Sequence, residues 1–392
     1  MSLDQGILAA ELAGLRERDL YRCPVVVGTM AGPRAVVDGR DCLMMASNGY
    51  LGLAAHPEVL AGARAAVERW GAGTGGSRLT TGNFGLHREL EEELAAFKGE
   101  EDALLFGTGY MANLGVLSAL AGPEDLVVSD SLNHASIVDG CRLSRARTAV
   151  YRHNDTAHLA EILAGERAGR VFVVSDGVFS MDGDTAPLPE IVALTDRYGA
   201  GTIVDDAHAT GVIGPGGAGT AARFGLTGRI DVQVGTLSKA LGSQGAFVAG
   251  SRTLIDYLRN RARSFVFSTA PAPAAVGAAL AALRLLREHP RWVAELAEKA
   301  SYLRRGLLNL GFNVPAGETP IIPVLVGDAG QAVRLARALW DRGVFAPAIR
   351  PPSVPPGESR LRVTLMLTHS QADLDLALEA FARAGRAVGV VA

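Results

Sequence analysis

Between about residues 100 and 250, short apolar runs alternate with helical segments. LVVSD (126–130), TAVYR (148–152), VFVVSD (171–176), GTIVDD (201–206), DVQVGT (231–236) and GAFVAG (245–250) predict strands. The stretches 87–99, 113–122, 158–166 and 188–199 predict helices before and between them. This alternation predicts an α/β layer around a mostly parallel sheet. Several strands end in a polar residue followed by a loop, the edge where open α/β sheets gather ligand groups.

From about residue 272 the pattern changes. A long helical stretch rich in Ala, Leu and Arg runs to about 310, with a break expected near Pro290. Then come IIPVLV (321–326), a helix over 330–342, VFAPAI (344–349), a proline-rich loop, RLRVTLML (360–367) and a final helix from about 371. At the start, Leu3, Ile7, Leu8, Leu12 and Leu15 recur at helical spacing and predict an amphipathic helix packed on a surface. The chain therefore divides into an N-terminal helix and arm (1–45), a large α/β domain (46–271) and a smaller α+β domain (272–392).

Composition narrows the class. Hydrophobic residues make up 48% and charged residues 20% of 392, as in a soluble globular enzyme. A net charge of −3 gives no electrostatic reason to expect nucleic acid or a membrane surface as a partner. No apolar stretch is long enough to span a bilayer, and the first residues lack a signal-peptide pattern. Cys23, Cys42 and Cys141 are isolated, which argues against a disulfide framework and against a zinc or other metal site. A cytoplasmic, reducing location is the simple expectation.

The basic residues change the picture further. Of 38 Lys plus Arg, only Lys98, Lys239 and Lys299 are lysines. Lysine can lose its proton and act as a nucleophile, whereas arginine stays charged. Lys98 and Lys299 have acidic neighbours and read as solvated surface groups. Lys239 is the only charge in VQVGTLSKALGSQGAFVAG.

A strand ending in Asp205, Asp206 and His208 precedes Lys239 by about thirty residues. Asp205 and Lys239 at one sheet edge could form a structural salt bridge. They could also serve a pyridine cofactor, the carboxylate keeping the ring nitrogen protonated and the lysine forming a Schiff base. Gly107, Thr108 and Gly109 form a turn opening a helix, a start that favours a phosphate. Ser180 could add a hydroxyl donor or satisfy its own turn. The GxGxxG over 71–76 lacks the preceding strand and following helix of a dinucleotide fingerprint, and reads instead as a glycine-rich active-site loop.

ASNGYLGL (46–53), GTGGSRLTTGNFGLHRELEEELAAF (73–97), SLNHASIVDG (131–140), GVFSMDGDTAPL (177–188), VDDAHATGVIG (204–214) and TLSKALG (236–242) together resemble the α-oxoamine synthases. These are transferases of the aspartate-aminotransferase-like fold (fold type I) that depend on pyridoxal 5'-phosphate. The resemblance covers essentially the whole chain. It implies that Lys239 binds the cofactor and moves protons at the substrate α-carbon. By the same resemblance Asp205 pairs with the pyridine nitrogen, His208 bonds the ring hydroxyl and His134 stacks on the ring. Gly109 and Tyr110 are implied at the phosphate end, with Ser180 and Thr236 as further contacts. Ser268 and Thr269 are implied to reach the partner subunit's cofactor in a homodimer with shared active sites. Asn48 is implied near the substrate, Arg362 as the clamp for the amino-acid carboxylate, and Arg22 as a further substrate contact.

Members of this family join an amino acid to an acyl-CoA or acyl carrier protein. The segment AIRPPSVPPGESRLRVTL (348–365), with Ser353 near the substrate, is most similar to the branch that condenses L-alanine with a pimeloyl thioester in biotin biosynthesis. HNDTAHL and FSMDGDTAPL fit the same branch. Ala209 and Asp176 are similar to the branch that uses glycine and acetyl-CoA, and a relative accepting both substrate pairs is an alternative. A non-catalytic partner subunit is disfavoured because Lys239, Asp205, His208 and His134 are all present.

Overall fold

The structure, a computed structural model, describes residues 4–18, 21, 23–165 and 169–392. Seven strands form the central sheet, in the order Asp102–Phe106, Ala246–Gly250, Val232–Thr236, Gly201–Asp205, Val171–Asp176, Leu126–Asp130, Arg147–Tyr151. Ala246–Gly250 runs antiparallel to both neighbours, and the other pairings are parallel. Helices cover both faces, so the inner strands are mostly apolar and bury nearly every side chain. Each of the six predicted strands forms within a residue of its expected bounds. The strand Asp102–Phe106 and the helix Ala135–Ser144 were not foreseen.

The parallel direction has a direct consequence for function. Asp130, Asp176, Asp205 and Thr236 each close a strand at the same edge of the sheet. Asp176 is the register partner of Asp205 across adjacent strands.

The predicted break near Pro290 separates helices Pro273–Glu288 and Arg291–Asn309. Helix Pro273–Glu288 lies close on helix Pro57–Trp70, because a Cβ at Gly62 would sit 2.8 Å from Gly277 O and one at Gly277 2.5 Å from Gly62 O. Only glycine allows that backbone approach.

The run 344–349 is not one strand. Val344–Phe345 pairs in parallel with Arg40–Met44, and Ala348–Ile349 pairs antiparallel with Ser359–Thr364. Pro347, which has no N–H to give a ladder, lies between them. Ser359–Thr364 also pairs with Ile321–Gly327, and its end is stitched to the 45–50 segment. Thr364 N–H donates to Met45 O (2.9 Å) and Leu367 N–H to Tyr50 O (2.7 Å). This brings Arg362 beside Asn48.

The N-terminal helix forms over Gln5–Glu17, but none of its residues is buried, and Ile7, Leu8 and Leu12 face solvent. The expected packing is thus not made within one chain. Among the described residues no helix is long and apolar enough to cross a membrane.

Candidate active site

Lys239 stands in a tight turn after the strand Val232–Thr236. Thr236 Oγ1 donates to Gly245 O (3.0 Å) and accepts from Ser238 N–H (3.2 Å), and Gly242 N–H donates to Lys239 O (3.0 Å). The turn needs glycine at 242, where φ is 60° and a Cβ would lie 2.4 Å from Ala54 N. Among the described residues Lys239 Nζ has no hydrogen-bond or ion-pair partner. Burial pushes its ammonium down to about 8, against the opposing pull of Asp205 and Asp176. An amine so placed is available both as a nucleophile and as a proton carrier near neutral pH.

Asp205 is buried at the end of its strand. Its Oδ2 accepts from Asn113 Nδ2 (2.6 Å) and its Oδ1 from Ala207 N–H (2.9 Å). Asp176, buried beside it, accepts from His134 N–H (3.0 Å). Burial and then the charge of Asp205 push the Asp176 carboxyl well above the usual range. His134 caps the helix Ala135–Ser144, its Nδ1 accepting from Ser136 N–H (3.3 Å). Desolvation lowers its pKa, opposed by Asp205 and aided by Lys239.

His208 Nδ1 lies 2.6 Å from Tyr50 Oη, which is 3.2 Å from Asn48 Oδ1. Burial, with Lys239, Arg362 and His134, holds His208 well below its ordinary value and therefore neutral. Burial raises the Tyr50 hydroxyl to about 12. Asn48 Oδ1 also accepts from Arg362 Nη1 (3.0 Å), and Arg362 Nε donates to Ser180 O. Arg362 Nη2 is buried without an acceptor among the described residues. A buried guanidinium N–H left open in this way suits an anionic ligand.

Thr108 Oγ1 accepts from Met111 N–H (3.2 Å) and starts the helix Gly109–Leu120. The start of that helix is uncrowded, since a Cβ at Gly109 would meet no atom within 4 Å, and its first N–H groups have no partner within the helix. The Tyr110 ring is exposed and its hydroxyl donates to Asp139. Ser180 and Ser353 line one small cleft with Leu132, Met181 and Val354. Ser268 and Thr269 lie beside the glycine-rich loop, with Thr269 bridged to Ser77, and neither bonds to the groups around Lys239. Arg22 lies outside the described residues. Among the described residues no cluster of His, Cys, Asp and Glu could hold a metal ion.

Two lysines depart from expectation. Lys98 is not a surface group: it is buried, with Nζ 2.7 Å from Asp206 Oδ2 and donating to Ala218 O (2.7 Å). Its partners lie more than a hundred residues away, so its acidic neighbours in sequence misled. Lys299 donates to the carbonyls of Leu367 and His369 (2.7 Å to the latter). Asn113 and Tyr50 were not singled out from the sequence. A lone polar Asn inside the apolar run YMANLGVL was the available signal.

The aminotransferase class I and II family profile matches residues 40–381. The chain belongs to this family. A relative from Geobacter sulfurreducens named 8-amino-7-oxononanoate synthase is 51% identical over 388 residues, covering 98% of this chain and 99% of its own. Another of that name, from Anaeromyxobacter dehalogenans, is 52% identical over 375 residues, covering 96% and 94%. The serine palmitoyltransferase of S. paucimobilis, solved with a bound PLP–myriocin aldimine, superposes with a TM-score of 0.93 at 36% identity, covering 99% of this chain and 98% of its own. The α-oxoamine synthase resemblance and the fold type I class read from the motifs are both borne out. The residues present also fit the family's cofactor. They offer an open helix start for a phosphate, a fixed carboxylate at a strand end and a lysine of lowered pKa.

Proposed function

We propose that this protein is a pyridoxal-phosphate-dependent acyltransferase of biotin biosynthesis. It condenses L-alanine with pimeloyl-CoA, or with pimeloyl carrier protein, to give 8-amino-7-oxononanoate, carbon dioxide and the free thiol carrier. One observation carries the reading: the buried, unpartnered Arg362 Nη2 lies within charge reach of an unpartnered Lys239 Nζ. That pair offers a seat for an amino-acid carboxylate and a base for the adjacent α-carbon. The two full-length relatives named above support the alanine and pimeloyl pair.

Pyridoxal phosphate, when bound, supplies an electron sink for charge developing at the substrate α-carbon. Lys239 would hold it covalently, with Asp205 at the ring nitrogen, His208 at the ring hydroxyl and His134 on the ring face. Gly109, Tyr110, Ser180 and Thr236 would serve the phosphate. Arg362 binds the alanine carboxylate through Nη2, and Asn48 fixes the guanidinium plane. Displaced from the cofactor by the alanine amine, Lys239 then removes the α-proton. A bond forms from that carbon to the thioester carbonyl carbon, the C–S bond breaks, and the thiolate leaves to be protonated by solvent. The bond to the carboxylate carbon breaks next and releases carbon dioxide, and Lys239 returns its proton to the α-carbon. Ser353 would stand along the acyl side. The enzyme acts as a cytoplasmic homodimer, in which Ser268 and Thr269 would reach the partner's cofactor.

A thiol-release assay tests this by crossing alanine, glycine and serine with acetyl-, succinyl-, pimeloyl- and palmitoyl-CoA. Alanine with pimeloyl-CoA should be the best pair. A clear preference for glycine with acetyl-CoA would overturn the assignment.

A further inference from the structure

Two buried polar side chains with no role in the steps above join Asp205 to His134. Asn113 sits within the helix Gly109–Leu120 at 2% exposure. Its Nδ2 donates to Asp205 Oδ2 at 2.6 Å and to Ser136 Oγ at 2.9 Å. An ionised carboxylate only accepts, so the amide nitrogen must face Asp205, and both of its N–H groups are used. Ser136 Oγ is 2.7 Å from His134 Nδ1, and Ser136 N–H points at the same nitrogen at 3.3 Å. A backbone N–H can only donate. His134 Nδ1 therefore carries a lone pair. Ser136 Oγ, already accepting from Asn113, turns its own proton toward that lone pair.

We propose that Asn113 and Ser136 are positioning residues that lock His134 as the neutral tautomer protonated at Nε2 and tie its ring to Asp205. The inference rests on the proposed placing of His134 and Asp205 against the cofactor. It adds the direction of every proton between them. A protonated Nδ1 would face the Ser136 N–H and lose that bond, so His134 offers the site a hydrogen bond from Nε2 and does not act as its base. The charged and titratable groups facing His134 are Asp205, Asp176, Lys239 and His208. The base is then left to Lys239.

The test uses the full-length protein, labelled with ¹⁵N-histidine and free of cofactor, in long-range ¹H–¹⁵N spectra. The His134 signals are assigned by their loss in His134→Gln. Wild type should show the Nε2–H tautomer at neutral pH, with a titration midpoint below about 6.5. Ser136→Ala keeps the backbone N–H at Nδ1 but loses the hydroxyl donor, so it should hold the tautomer and move the midpoint up by about one unit, whereas Ser136→Thr should keep the wild-type spectrum. Asn113→Ala frees Ser136 Oγ and should also move the midpoint. If that variant fails to fold, the Ser136 pair still decides, with the other histidine signals reporting an intact fold. An Nδ1–H tautomer in wild type, or an unchanged His134 in Ser136→Ala, would overturn the proposal. Because no substrate is added, the result stands apart from the thiol-release assay. A locked tautomer in a protein that ignores alanine would sink the proposed function and leave this inference standing.

Discussion

Asp176 and Asp205 face each other in register at the ends of adjacent parallel strands, and both carboxylates are buried. They are not equivalent. Asp205 has the Asn113 amide and the Ala207 N–H, whereas Asp176 has only the His134 N–H. Two like charges at this spacing cannot both ionise cheaply, and the proton settles on the carboxyl with fewer donors. Asp176→Asn, which mimics a neutral carboxyl, should leave turnover within about threefold of wild type. Asp205→Asn should lower kcat by about a hundredfold or more. Steady-state kinetics on cofactor-saturated protein reads both, and equal losses would contradict the asymmetry.

Arg362 makes two hydrogen bonds to the protein and leaves Nη2 free. Arg362→Ala should cut kcat/KM for the amino acid by about a hundredfold, as loss of a charge-assisted bond predicts. Arg362→Lys should rescue little, because a point charge cannot keep the bonds to Ser180 O and Asn48 while reaching a carboxylate. A variant affected only in its KM for the thioester would put Arg362 on the wrong substrate.

His153 is held between Asp130 (3.0 Å) and Asp184 (2.8 Å), with its ring edge-on to Phe179. Burial lowers its pKa, but bonds and charges from the two carboxylates outweigh this and raise it to about 10. A histidine whose folded pKa lies above its unfolded value of about 6.5 stabilises fully below 6.5 and loses that contribution as pH rises toward 10. Urea unfolding of wild type should therefore fall in midpoint across pH 6.5–10. His153→Gln should flatten that part of the profile, and an identical slope in the variant would refute the cationic clamp.

The buried pair Lys98–Asp206 braces the loop that follows Asp205, with Thr220 also donating to Asp206. Removing one partner leaves a charge buried alone, so Lys98→Met should destabilise by about 3–5 kcal/mol. The double change Lys98→Met with Asp206→Asn should recover part of that loss. Denaturant unfolding at fixed cofactor load makes the comparison, and a single variant as stable as wild type would show the pair to be idle.

Much of the sheet was legible because its signal is local. Valine-rich runs ending in Asp or Thr define strands and their functional edge together. The strand Asp102–Phe106 was hidden because its apolar run is short and passes straight into the Gly107–Thr108–Gly109 turn. Helix Ala135–Ser144 carries Ser, Asp, Gly and Cys, too few apolar residues for a clear period. The split of 344–349 depends on which strand each half meets, a tertiary matter marked only by Pro347. Lys239, Asp205, His134 and His208 were legible as motif residues. Their supports Asn113 and Tyr50 act through contacts of 23 to 158 residues in separation, and single-sequence periodicity carries no such distance; Ser136 lies only two residues from His134 and reads as an ordinary first-turn serine.

The proposed mechanism gives the reactive amine to Lys239 alone of the three lysines. Protein loaded with pyridoxal phosphate, reduced with borohydride and digested, can be mapped by mass spectrometry. The loading rate should also rise with pH through a midpoint of about 8, set by the lowered Lys239 pKa. One stable adduct is expected, on the peptide containing Lys239, and none in Lys239→Ala. An adduct on Lys98 or Lys299, or an undiminished adduct in the variant, would contradict it.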